Sequence, residues 1–223
     1  ILTFSGPWLV FALAGVSYLW SAGCVLGRKR DATPERVSEH AIGGELLAGF
    51  RAIGEDRHLQ IVIGLTAAQM FVAGALEVVI VVDAIRILHA GNSGVGWLNT
   101  ALGVGGLLGG LVGVVLTARK RLAGDFRLGL GGFGIALVLR ASSNNYAIAL
   151  VLFALMGMGS TLVDVTGMTL LQRAAPPNVV GRVFGVLQSL MLAAIAIGSL
   201  ITPLLISQLG PRATFIAVGA VLP

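Results

Sequence analysis

Two carboxylates stand inside apolar runs: Glu77 in TAAQMFVAGALEVV (66–79) and Asp164 in GSTLVDVTGM (159–168). A carboxylate in hydrocarbon costs about 2.5–3.5 kcal/mol even on the scale that penalises it least. Such a residue is either hidden among other helices or retained because it acts. A carboxyl group kept from water can exchange a proton near neutral pH, and its charged form attracts cations. At helical spacing Thr66, Gln69, Ala73 and Glu77 share one face. Gly157, Ser160, Thr161, Asp164, Gly167, Met168 and Gln172 share another, opposite Leu150, Val151, Leu155, Leu162 and Val163. A small, polar stripe of this kind points into a bundle or a wet cavity. Glu77, Asp164, Gln69 and Thr161 are therefore the candidates for proton coupling or substrate contact. Each has a plainer alternative. Asp164 can hold a gate through an ion pair with Arg173, Arg182 or another bundle. Glu77 can line an outer vestibule, and Gln69 can make an interhelical hydrogen bond. Asp164 is expected about 9 Å from its helix end, six residues before Leu170.

Enzymatic constellations do not assemble. His40, His58 and His89 are scattered, and Cys24 is the sole cysteine. No zinc-protease or nucleophile-elbow motif occurs. Asp83 and Asp164 fall toward opposite membrane faces and cannot act as a pair; Asp83 reads as a solvated helix-end residue beside Arg86. The run GVGGLLGGLVG (103–113) lacks the Lys-Ser/Thr of a phosphate loop. Its Gly105, Gly106, Gly109, Gly110 and Gly113 read as a helix-packing surface. No enzyme activity, cofactor or metal is expected.

The elements that position these residues follow from composition. Hydrophobic residues make up 56% and charged residues 11%, against about 25% charged in a soluble domain, so the solvent is a bilayer. The expected fold is an all-α polytopic membrane bundle. Seven stretches qualify as spans, at 1–26, 59–84, 97–118, 126–141, 146–171, 183–209 and from about 212 onward. Basic residues cluster in alternate loops: RKR (28–30), ARKRLAGDFR (118–127), Arg173 and Arg182. The loops between hold only Arg86, Arg140 and Arg212. The rich side is the expected cytoplasmic side. Short basic runs between spans point to topology and membrane lipid, not nucleic acid. Residues 27–58 form a long loop with Ile42, Leu46, Phe50 and Ile53 at helical spacing. This is an expected amphipathic helix, lying on the membrane or packed on neighbouring loops. The chain opens and stops inside apolar segments, so it is expected to be an internal piece of a longer membrane protein.

QRAAPPNVVGRVFG (172–185) breaks the chain at Pro176 and Pro177, with Gly181 expected in a tight turn. Arg173, Pro176, Gly181 and Arg182 are candidates for a cytoplasmic gate or hinge; the alternative is topology alone.

Taken together, the charged loop, GELLAGFRAIGEDRHLQ (44–60), the glycine-rich span ending in ARKR, LLQRAAPPNVVGRVFGVLQS (170–189) and the span with Gly198 and Pro203 resemble the major facilitator superfamily, in particular its bacterial drug and siderophore exporters. The resemblance implies that 1–26 corresponds to helix 6 of twelve, 27–58 to the central cytoplasmic linker, and 59–223 to helices 7–12, the last truncated. It implies a secondary active transporter in the bacterial inner (plasma) membrane. By alternating access it would export small molecules against protons, with a missing N-terminal transmembrane half as partner. A non-transporting membrane sensor or scaffold, and a lipid-handling transporter, are the alternatives.

Overall fold

The computed structural model describes residues 7–26, 54, 57–117, 122–174 and 180–222. The expected amphipathic helix falls almost wholly outside the described residues, as does Pro176. The chain divides into two compact units, residues 1–41 and 42–223. The first unit carries helix α1 (Pro7–Leu26), which starts on a proline that needs no amide partner there. Its Ser17 hydroxyl donates to the Leu13 carbonyl at 2.9 Å.

The second unit is a helical bundle. It comprises α2 (Arg57–Val82), extended by a π-helical turn (Asp83–Ile87), then α3 (Gly91–Thr117), α4 (Leu122–Arg140), α5 (Tyr146–Ala174), α6 (Val180–Leu209) and the short α7 (Pro211–Gly219). Five of the described helices, α2 to α6, are long and apolar enough to cross a membrane. The protein is thus an all-α polytopic membrane protein. In lipid every backbone polar group needs an internal partner, which helices alone provide within one segment. The hydroxyls follow the same rule. Thr66, Thr166, Thr169 and Thr202 each donate to the carbonyl four residues back, at 2.6–2.8 Å.

Three helix ends differ from the sequence expectation. α3 begins at Gly91, not near Trp97. The run GNSGVG has poor helix propensity, but Gly94 is buried where its hydrogen-sized side chain allows contact with Ala84. α5 continues to Ala174. Gly181 is the second residue of α6 and has no positive φ, so the tight turn expected there is absent.

α5 is the central element. It packs along α3 and α4 and touches α2, while α6 packs along α2 and α7 lies on α4. Phe126, Leu130, Phe133 and Leu137 of α4 interleave with Leu152, Phe153, Met156 and Val163 of α5 to form the core. Leu162 and Val163, expected on an outward apolar face, are buried, whereas Val151 and Leu155 are exposed. The α3–α5 seam is backbone on backbone. A methyl group added at Gly105 or Gly109 would collide with the carbonyl of Ala154 or Met158, and one at Gly157 with that of Leu102. α2 and α6 meet in the same way, Gly74 over the Ile195 carbonyl and Gly198 over that of Phe71.

Asp83 is not solvated, and its partner is not Arg86. It is fully buried in the π-helical turn and paired with the equally buried Arg140 at the end of α4. Arg140 Nε donates to Oδ2 at 2.9 Å and Nη2 to Oδ1 at 2.6 Å. Its Nη1 donates to the Ser143 carbonyl, and the guanidinium lies 5.9 Å from the Phe215 ring centroid of α7. The two-pronged geometry and the cation at a helix C-terminus explain the choice of partner. Arg140 is therefore a tie between α2, α4 and α7, not a loop charge.

Two predictions follow from packing and charge. Gly105→Ala should lower stability by about 1–3 kcal/mol through overpacking. Gly103→Ala, with nothing within 4 Å of the new methyl group, should be neutral or stabilising by up to about 1 kcal/mol. Thermal unfolding of the intact protein in mild detergent compares them. Asp83→Asn and Arg140→Met should each cost about 3–5 kcal/mol by stranding a buried partner, while the double replacement Asp83→Leu/Arg140→Met should recover much of that loss; a double-mutant cycle on the same assay decides it.

Candidate functional site

A side-chain hydrogen bond joins α2 and α5 near the middle of the bundle. Gln69 is fully buried, and its Nε2 donates to Ser160 Oγ at 2.9 Å. Ser160 stands at the middle of α5. Gln69 Oε1 is buried without a hydrogen-bond partner, an unmet acceptor at the centre of the bundle. Such a group costs about 1–3 kcal/mol and calls for a donor.

Around Ser160 a cavity of about 90 Å³ opens between α2, α3, α4 and α5, lined by Glu77, Asn99, Ser160, Ala73, Leu102 and Phe133. Glu77 sits two turns beyond Gln69, about 12 Å along α2, and is exposed in the bundle. Asn99 was not singled out from the sequence. Its Nδ2 donates to the Val95 carbonyl at 3.0 Å, leaving Oδ1 free to accept. The signal was present: Asn99, Gly106 and Gly110 are seven and four residues apart, on one stripe of α3. A carboxylate, an amide and a hydroxyl facing a small cavity can bind a cation or a hydrogen-bond donor.

Asp164 lies one turn beyond Ser160, ten residues from the end of α5, roughly 15 Å rather than 9 Å. It is exposed in this bundle rather than covered, as are Met168 and Gln172 nearby. Leu155, nine residues earlier and so on the opposite side of α5, is exposed too. α5 thus has two open faces, one apolar and one carrying Asp164. Thr161 is turned elsewhere: it packs beside Gly106 and Gly110 of α3. Gly157 and Gly167 also serve packing, Gly167 against Phe126 and Thr66. The sequence stripe is therefore divided among three neighbours rather than lining one cavity.

Of the gate candidates, Arg173 is exposed near the end of α5 and Gly181 is exposed at the start of α6. The side chain of Arg182 lies outside the described residues. Among the described residues no group of three potential metal ligands forms.

Residues 61–222 match the model of the Major Facilitator Superfamily. A stretch of 124 residues is 31% identical to the multidrug efflux pump Tap of Mycolicibacterium fortuitum; it covers 56% of this chain and 30% of that pump. Five long apolar helices, glycine seams between them, a small cavity reached by three polar side chains and a family match across α2 to α7 agree: the chain belongs to the major facilitator superfamily, a family of membrane transporters.

Proposed function

We propose that the chain forms one bundle of a proton-coupled exporter of small molecules in a bacterial plasma membrane. α1 and residues 27–58 lead into a C-terminal bundle made by 59–223, and an N-terminal bundle supplies the other half of the site. The two bundles rock about a mid-membrane site, so that it opens to one side at a time. The observation that carries this reading is the cavity where Glu77, Asn99 and Ser160 converge, beside the unmet acceptor of Gln69. Polar groups at that depth are costly unless they bind something. The similarity to a named efflux pump supports outward transport.

The two carboxylates take different roles. Glu77, facing the cavity, meets the substrate and favours cationic compounds. Asp164, on the open face of α5 about 6 Å from its midpoint, exchanges the proton. A proton at Asp164 and a cation at Glu77 favour different states of the rocking bundles, which links the two fluxes through the shared conformational change.

Inverted vesicles carrying the intact transporter test this. A proton gradient is imposed and its dissipation followed on adding cationic and neutral lipophilic compounds. Asp164→Asn should abolish substrate-dependent proton flux while leaving substrate binding measurable. Glu77→Gln should weaken cationic substrates by roughly tenfold or more, the worth of one charge-assisted bond, and spare neutral ones. Full coupling in Asp164→Asn would overturn its assignment, and an equal effect of Glu77→Gln on both substrate classes would overturn the other.

A further inference from the structure

The end of the bundle away from the basic loops holds three arginines, Arg86, Arg140 and Arg212. Positive charge is sparse at that end, as membrane topology favours. Arg140 is consumed by its buried pair with Asp83. The other two, 126 positions apart in sequence, line one cavity of about 370 Å³ together with His89 and Asn144.

Three turns build this cavity. Arg86 belongs to the π-helical turn that closes α2, a type of helical insertion frequent at functional sites. His89 follows in a left-handed conformation, φ 51°, the only described non-glycine residue with positive φ. Backbone bonds from Leu88 to the Asp83 carbonyl and from Ala90 to the Ala84 carbonyl, both 2.9 Å, hold this segment to the π turn. Arg212 comes from the start of α7, and its Nη2 donates to Asn144 Oδ1 of the α4–α5 loop at 2.7 Å. That bond uses one of five guanidinium donors. The side chains of Arg86 and His89 make no hydrogen bond or ion pair among the described residues. No acidic side chain lines the cavity, and the nearby Asp83 is already neutralised. Two guanidinium groups that gain nothing from each other repel, so their convergence calls for an anion.

Guanidinium groups match phosphate oxygens in geometry and charge. The apolar edge of the cavity, Ile87 and the half-exposed Leu209, would suit the glycerol and first acyl carbons of a lipid. We propose that Arg86, His89 and Arg212 form a binding site for a phosphate group, carried by the headgroup of an anionic lipid in the adjoining leaflet or by a soluble phosphate compound. The site is separate from the mid-bundle cavity, and its occupancy does not depend on transport.

The test uses the intact transporter, purified and delipidated in a neutral detergent. Thermal stability and ligand retention in native mass spectrometry are read with phosphatidylglycerol, with phosphatidylcholine, and with glycerol 1-phosphate. Wild type is compared with Arg86→Gln/Arg212→Gln; both positions are exposed, and the ligand-free melting temperature of the variant confirms its folding. Phosphatidylglycerol binding that weakens roughly tenfold or more in the variant, with no response to glycerol 1-phosphate, identifies a lipid site. A response to both that the variant loses identifies a site for soluble phosphate compounds. Equal binding by wild type and variant, binding of phosphatidylcholine as strong as that of phosphatidylglycerol, or no binding of any probe would each overturn the proposal.

Discussion

The bundle depends on helices approaching until backbone meets backbone. Lipid tails are as apolar as leucine, so burying leucine against leucine gains little, and association rests on close van der Waals contact. Glycine removes the atoms that would hold two helices apart. α3 and α5 use it reciprocally, with Gly105 over the Ala154 carbonyl and Gly157 over that of Leu102. α2 and α6 repeat the pattern with Gly198 over Phe71 and Gly74 over Ile195. In each case the glycine lies three residues beyond the carbonyl contacted on its own helix. This is what inverted three-helix repeats produce, with α2 corresponding to α5 and α3 to α6. The correspondence reaches the site. Glu77 is three residues beyond Gly74, and Ser160 three beyond Gly157, so the repeat brings these two polar groups from opposite helices to one cavity.

Polar groups in the bundle fall into two sets. One is internally satisfied: the threonines return their protons to their own helix, and Asp83 and Arg140 neutralise each other in a buried two-pronged pair. That pair ties three helices and does not need a ligand. The second set is incomplete. Gln69 Oε1 lacks a donor, Asn99 keeps a free oxygen, and Glu77 and Asp164 have no cation beside them among the described residues. The second set is the one the proposed function draws on, because a membrane protein loses free energy by carrying such groups unless a ligand or a proton completes them.

Much of this architecture was legible in the sequence. Continuous apolar runs separated by basic loops located the spans, and four-residue glycine spacing marked the surface of α3. Pairing across helices was less legible. Asp83 and Arg140 are 57 positions apart, and which of two nearby arginines an aspartate meets depends on helix rotation, which hydropathy does not encode. Arg86 is nearer in sequence but is exposed and lines the outer cavity instead. Asn99 fell inside the expected span 97–118 but joined no polar stripe, because Gly106 and Gly110 on its face carry no polar side chain. Helical spacing grouped Thr161 with Asp164 correctly on α5, yet α3 packs so closely that it covers Thr161 and leaves Asp164 open. A stripe defines a direction on one helix; its neighbours decide which part of the stripe remains available.

That division bears on why Asp164 is tolerated at such depth. α3 and α4 flank α5, α2 meets it at Ser160, and the faces with Val151 and Leu155 and with Asp164 are left exposed. The face with Val151 and Leu155 can meet lipid at no cost. The opposite face, with Asp164, cannot, because burying that carboxylate in hydrocarbon would act against insertion. An arrangement that is stable in a membrane must therefore set the Asp164 face against protein or water. A second bundle across a water-filled gap meets both needs, and its approach and retreat would change the hydration of the carboxylate. A group whose hydration changes with conformation changes its hold on a proton in the same motion, so the placement that makes Asp164 awkward for a single bundle suits it to couple two.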